Sequence, residues 1–197
     1  MRLFVALAIP PAGIADVLAM VEQARELVGA RPELQPGGVR WIPRERMHVT
    51  LAFLGEVPPH RVEPLSIRLA RAAARSQPLR LRVAGPGYFG DRVLLARMLG
   101  DLPALTRLAQ SVAAAARHSG VDLDARPFEP HITLARSRGA DLRGLLHESA
   151  DHEGPWWVGQ TIELVASRLG PRPRHEVLAD WSLGPPGAAG PEAARGG

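Results

Sequence analysis

His48-Val49-Thr50-Leu51-Ala52-Phe53 returns 83 positions later as His131-Ile132-Thr133-Leu134-Ala135-Arg136. Within each copy apolar residues alternate with His and Thr, the period of a β-strand, on which residues i and i+2 share a face. His48 and Thr50 therefore point one way, and Val49, Leu51 and Phe53 point into a core. His131 and Thr133 stand in the same relation to Ile132 and Leu134. A single strand of this kind is an ordinary solvated face. The same residues twice, with the same flanks, mark two halves of one site.

The 197 residues suit one domain, or a single core built from two similar lobes. Hydrophobic residues make up 46% and charged residues 22%, as in a soluble globular protein. No apolar run approaches the ~18 residues of a membrane span. The apolar start before Pro10 and Pro11 reads as a first buried strand rather than a signal peptide, so the expected location is cytoplasmic, with no membrane partner. There is no cysteine, which removes disulfides, thiolate metal ligands and cysteine nucleophiles. All 24 basic residues are Arg, so a lysine Schiff base or lysine adenylate is closed to this chain. Arg suits bidentate contact with phosphate, but with so much Ala, Gly and Pro its exclusive use is read as base composition.

Around the repeats, strands are expected at Arg2–Ala8, Val39–Ile42, Met47–Leu54, Leu79–Val83, Val93–Met98, His131–Arg136, Trp157–Ser167 and His175–Trp181. Helices are expected at Ala12–Val28, Val62–Ser76 and Pro103–His118, with a short one around Leu142–Glu148. Gly29 to Gly38 and Gly85 to Gly90 read as loops. The segment 184–197 is low in complexity and expected to be disordered, leaving 1–183 as the domain. The fold class is α+β, with two pseudo-symmetric lobes. Each lobe is a small, mostly antiparallel sheet backed by helices, and the cleft lies between them.

Two imidazoles across a cleft suit acid–base chemistry near neutrality, one accepting a proton while the other donates. Thr50 and Thr133 beside them can donate to non-bridging oxygens of a phosphate. The H-x-T pairs have no Asp or Glu cluster beside them, and there is no H-E-x-x-H, C-x-x-C or glycine-rich phosphate loop. The expected chemistry needs no metal and no cofactor.

Paired H-x-T strands in a chain of this size resemble the 2H phosphoesterase superfamily. The stretches Trp41-Ile42-Pro43 through Gly55 and Pro130 through Arg136, with the opening Arg2-Leu3-Phe4-Val5-Ala6-Leu7, are similar to its LigT/ThpR branch of RNA 2′,3′-cyclic phosphodiesterases, formerly named 2′-5′ RNA ligases. The resemblance implies hydrolysis of RNA ends bearing a 2′,3′-cyclic phosphate to 2′-phosphomonoesters, with weak reversible ligation. By the same likeness His48 is the proton donor, His131 the proton acceptor, and Thr50, Thr133 and Arg136 bind substrate. The near-identical strands do not by themselves assign the acid and the base. Strand parity places Arg136 on the core face, so it must reach around the strand end or follow a break in pairing.

Of the other histidines, His60, His118, His147 and His152 are assigned to solvent. His175, with Arg172 and Arg174, is a candidate rim contact to RNA phosphates. Tyr88 and Phe89 are assigned to packing over base stacking. One of Trp156 and Trp157 should pack inside. Partners are RNA ends and nucleotides, and the chain is expected to be a monomer. The competing readings are a phosphodiesterase acting on a small cyclic phosphate, such as a nucleotide or an ADP-ribose derivative, and a non-catalytic nucleotide- or RNA-binding module.

Overall fold

The structure, a computed structural model, describes residues 1–31, 38–123, 127–143, 145–146, 150–168 and 174–185. Among these residues the strands are β1 (Arg2–Leu7), β2 (Val39–Trp41), β3 (Val49–Glu56), β4 (Leu79–Phe89), β5 (Val93–Gly100), β6 (His131–Ser137), β7 (Trp157–Gly159), β8 (Thr161–Arg168) and β9 (Arg174–Ser182). The α-helices are α1 (Pro11–Gly29), α2 (Pro59–Ala74) and α3 (Leu102–His118). Each helix carries a proline in its first two positions. There the missing N–H costs nothing and the fixed φ favours the first turn.

The strands run in the order β7-β4-β5-β6-β3-β1-β8-β9, with β2 also paired to β6. Four strands, β3-β1-β8-β9, form one lobe. The lobe of β6-β5-β4-β7 and β2 forms the other. The two expected sheets are therefore present, as halves of one continuous sheet joined at β3 and β6. That seam is narrow and places Val49 opposite Ile132. The two residues are 83 positions apart, the offset of the repeat, so a local twofold axis passes through their pairing. Around it β1-α1-β3 and β5-α3-β6 are equivalent strand–helix–strand units with adjacent antiparallel strands.

The same symmetry extends to irregularities in the ladders. Between β1 and β3, Val5 faces Ala52 and Ala6 faces Thr50, passing over Leu51. Between β5 and β6, Leu94 faces Ala135 and Leu95 faces Thr133, passing over Leu134. Leu51 and Leu134 are again 83 positions apart. A bulge of this kind places two successive residues on the same side of the ladder and reverses parity beyond it.

One apolar core lies between the sheet and the helices. It takes Leu3, Val5 and Leu7 from β1, Val49 and Leu51 from β3, Ile132 and Leu134 from β6, and Ile14, Leu69, Leu105 and Val112 from the helices. α2 and α3 pack on each other, α3 covers β3 and β4, α2 lies over β8 and β9, and α1 reaches β4. The opposite face of the sheet holds a separate small apolar group of Phe4, Ala6 and Val165.

Several expectations change. Gly85 to Phe89 is not a loop: β4 continues through it after a register shift at Pro86. A Cβ on Gly87 would lie 2.6 Å from Leu95, so the glycine permits close strand packing rather than a turn. The expected strand Trp157–Ser167 is divided at Gln160. β7 pairs with β4 in one lobe and β8 with β1 in the other, so the chain changes lobes there. Arg143, Leu145 and Leu146 form turns rather than a helix, and Leu142 has no regular structure; 144 and 147–149 lie outside the described residues. So do 32–37 of the expected loop and 186–197 of the expected tail. Leu183 is tied back by its N–H to the Gln160 carbonyl at 2.7 Å. Trp157 is buried, whereas Trp156 is exposed between the guanidinium groups of Arg80 and Arg82.

Ile132→Ala removes a side chain with 0% exposure at the seam itself. Urea unfolding should show a loss of about 2–5 kcal/mol with an unchanged slope. A loss well under 1 kcal/mol would show that the seam is not a packed part of the core.

Candidate active site

Counting outward along antiparallel strands from Val49 opposite Ile132 brings position 48 opposite 133 and position 50 opposite 131. The two motifs are therefore neighbours across the seam, each histidine beside the other motif's threonine. His48, Thr50, His131 and Thr133 are all half-buried, while Met47, Val49, Leu51, Ile132 and Leu134 between and beside them are buried in the core. Two imidazoles and two hydroxyls thus stand on one face of the sheet, around the local twofold axis.

Each ring is oriented by the backbone two residues upstream. His131 Nδ1 lies 2.7 Å from the Glu129 carbonyl oxygen, to which it donates. The His48 ring is hydrogen-bonded to the backbone of Arg46, the position equivalent to Glu129. Holding Nδ1 in this way leaves Nε2 to act on a ligand.

Burial pushes the His48 imidazole down to about 4, and the charges of His175, Arg46 and His131 act in the same direction, against the hydrogen bond that the ring donates to the Arg46 backbone carbonyl. His131 is also lowered, first by burial and then by Arg136, with the Glu129 carbonyl opposing. Both shifts favour the neutral form of the ring. A phosphate arriving between them supplies the negative charge that makes protonation of one ring favourable.

Arg136 stands on the face of His131 and Thr133. The passage over Leu134 turns Ala135 into the core and Arg136 out of it, so the break in pairing resolves the parity problem. The equivalent bulge in β3 acts on Phe53. Expected in the core, Phe53 is 64% exposed and lies 6.3 Å from Phe4, while Leu54 takes the inward position. Phe53 and Arg136 are thus twofold equivalents on opposite sides of the site.

The surroundings contain groups that strand periodicity does not reveal. Phe4 stacks on His48 at 4.7 Å with the rings 25° apart. His175 approaches Phe4 at 4.9 Å and His48 at 5.6 Å, so this residue sits against the site rather than at its outer edge. Phe89 meets the His131 ring edge-on at 4.7 Å, while the Tyr88 hydroxyl accepts the Leu146 N–H at 3.3 Å. β1 is apolar on both faces, so alternation could not assign Phe4 to a side. Arg174 is exposed, whereas Arg172 lies outside the described residues. Of the histidines assigned to solvent, His60 and His118 are exposed, His147 lies outside the described residues, and His152 pairs with Asp16 at 3.0 Å.

Comparison with known proteins agrees with this geometry. The sequence profile described as LigT like Phosphoesterase matches residues 17–97 and 101–174. The chain belongs to this family. Among curated relatives, an RNA 2′,3′-cyclic phosphodiesterase of Thermus thermophilus is 34% identical over 93% of this chain and 90% of its own length. One from Geobacillus stearothermophilus is 35% identical over 73% of this chain; the match spans about half of that relative, 47%. The crystal structure of Escherichia coli LigT in apo form superposes with a TM-score of 0.68 at 27% identity, covering 93% of this chain and 97% of that one. The same protein complexed with 3′-AMP gives 0.67 at 26% identity, covering 92% and 96%. The LigT-like chain shares with these structures the bilobal α+β fold.

The half-buried His48 imidazole of this LigT-like site makes stability depend on pH. A histidine held at about 4 in the folded protein takes up its proton near 6.5 when unfolded, so the unfolded state binds more protons between those values. Stability should fall as pH drops through that window, by up to about 3 kcal/mol from this group. Urea unfolding at pH 7 and pH 4.5 should show a smaller drop for His48→Gln than for the wild type. Equal drops would mean that His48 titrates normally.

Proposed function

We propose that the chain hydrolyses RNA ends carrying a 2′,3′-cyclic phosphate to 2′-phosphomonoesters, without a metal, through its two H-x-T motifs. The observation that carries this reading is the seam pairing, which sets two imidazoles and two hydroxyls on one face about a local twofold axis. The activity of the RNA 2′,3′-cyclic phosphodiesterase relatives and the E. coli LigT complex with 3′-AMP support the same chemistry. Among the described residues no group of three or more His, Cys, Asp or Glu side chains gathers to offer a metal site.

In this mechanism Thr50 and Thr133 donate to the non-bridging oxygens, and Arg136 adds positive charge from the second motif. His131 Nε2 takes a proton from water as the water oxygen attacks phosphorus opposite the 3′ oxygen. The P–O3′ bond breaks, His48 gives its proton to the departing 3′ oxygen, and the phosphate stays on the 2′ oxygen. The assignment of acid and base follows the family resemblance. In the empty site His48 is well below its ordinary value, so its donor form depends on the charge of the bound phosphate. A 5′-hydroxyl in place of water gives a 2′-5′ linkage by the reverse transesterification, at no cost in activated nucleotide. Water at its high concentration makes hydrolysis dominant.

With EDTA present, a short RNA ending in a 2′,3′-cyclic phosphate should yield a 2′-phosphate, and His48→Ala and His131→Ala should each lose about 10²- to 10⁴-fold in rate. A substrate with sulfur at the bridging 3′ position leaves without a proton, so it should restore much of the rate of His48→Ala but not of His131→Ala. Rescue of the second variant instead would exchange the two roles. An inert wild type, or full loss of activity to EDTA, would overturn the reading.

A further inference from the structure

β2 and β6 place Arg40 directly opposite Arg136. Both side chains are exposed on the site face, because their neighbours Val39, Trp41, Ala135 and Ser137 turn toward the core. Like charges directly opposite on paired strands cost stability. Arg46, in the one-turn 3-10 helix Arg44–Arg46 that joins β2 to β3, adds a third cation. It is close enough to both for their charges to act on it, and its buried Nε has no hydrogen-bond partner. Glu45 partly offsets this, but no carboxylate forms an ion pair with Arg40, Arg46 or Arg136 among the described residues. Three convergent guanidinium groups without an anion are a destabilising arrangement unless an anionic ligand completes it.

The cluster lies on the same face as the two histidines but is displaced along the strands from them. Arg136 is three residues beyond Thr133, about 10 Å along β6 before allowing for the bulge. Arg40 lies further out, on β2, and Arg46 stands between this pair and His48. One phosphate held between the two histidines therefore leaves Arg40 and Arg46 free to contact another, with Arg136 reaching toward both.

We infer that Arg40, Arg46 and Arg136 form a second phosphate subsite, which takes the phosphodiester on the 5′ side of the cyclic nucleotide and makes the substrate an oligonucleotide end rather than a mononucleotide. The inference rests on the hydrolysis proposed above. It assigns selectivity within the same site to charge rather than to base contacts, since a backbone phosphate is common to every sequence.

The test compares a trinucleotide ending in a 2′,3′-cyclic phosphate with 2′,3′-cyclic AMP, which lacks the 5′ phosphodiester. The wild type should prefer the trinucleotide by about ten- to a hundredfold in kcat/KM, chiefly through KM. Arg40→Gln and Arg46→Gln should each bring that preference toward one, and Arg46→Lys should keep part of it. The salt dependence of log kcat/KM on the trinucleotide should fall by about 0.7 for each contact removed. Equal wild-type kcat/KM on both substrates overturns the subsite, as does a loss in the variants that is the same for both. Absence of hydrolysis on either substrate is instead a failure of the proposed reaction. Binding of the 2′-phosphorylated trinucleotide against 2′-AMP then reads the subsite without turnover, and equal affinities overturn it.

Discussion

One antiparallel backbone pairing, Val49 opposite Ile132, is the constraint on which the site depends. It is the point where a four-stranded and a five-stranded lobe become one sheet, and it lies on the local twofold axis relating the repeats. Because the paired residues are equivalent in the two halves, whatever flanks one is brought beside whatever flanks the other. Two sequence copies that would otherwise be separate strands become a single square of imidazoles and hydroxyls. The apolar residues between them, all buried on the far side, hold that square against the main core.

The bulges extend this logic outward. Each passes over one leucine, Leu51 or Leu134, and turns a residue two positions later onto the site face. The two halves then diverge in chemistry at the same geometric position. In one, Phe53 joins Phe4 and lies toward His48 and His175 as an apolar, aromatic side. In the other, Arg136 joins Arg40 and Arg46 as a cationic side. A twofold scaffold thereby carries an asymmetric site, suited to a substrate that is itself polar at one end and aromatic at the other.

The electrostatics follow from the same placement. Half-burying two histidines beside Arg46 and Arg136 lowers the pKa of both, chiefly through burial, and among the described residues Arg40, Arg46 and Arg136 form no ion pair. Each feature opposes stability in the empty protein and is relieved by an anion. In the proposed reaction binding and protonation are therefore coupled: a phosphate between the two rings would also restore the proton that one imidazole needs to donate.

The amino-acid sequence by itself determined the strand character of both motifs, the three long helices and the repetition of the H-x-T pattern. All of these depend on local periodicity and on an 83-residue repeat that can be read without coordinates. It could not determine the side on which Phe53 and Arg136 stand, because a bulge is a property of pairing with a neighbouring strand, and parity fails wherever one occurs. Nor could it place Phe4, on a strand apolar on both faces, or Arg46, in a turn with no period. The division of Trp157–Ser167 between lobes and the continuation of β4 through Pro86 and Gly87 have the same origin. Tertiary structure decided them, since they depend on which strand lies alongside and how closely its side chains approach.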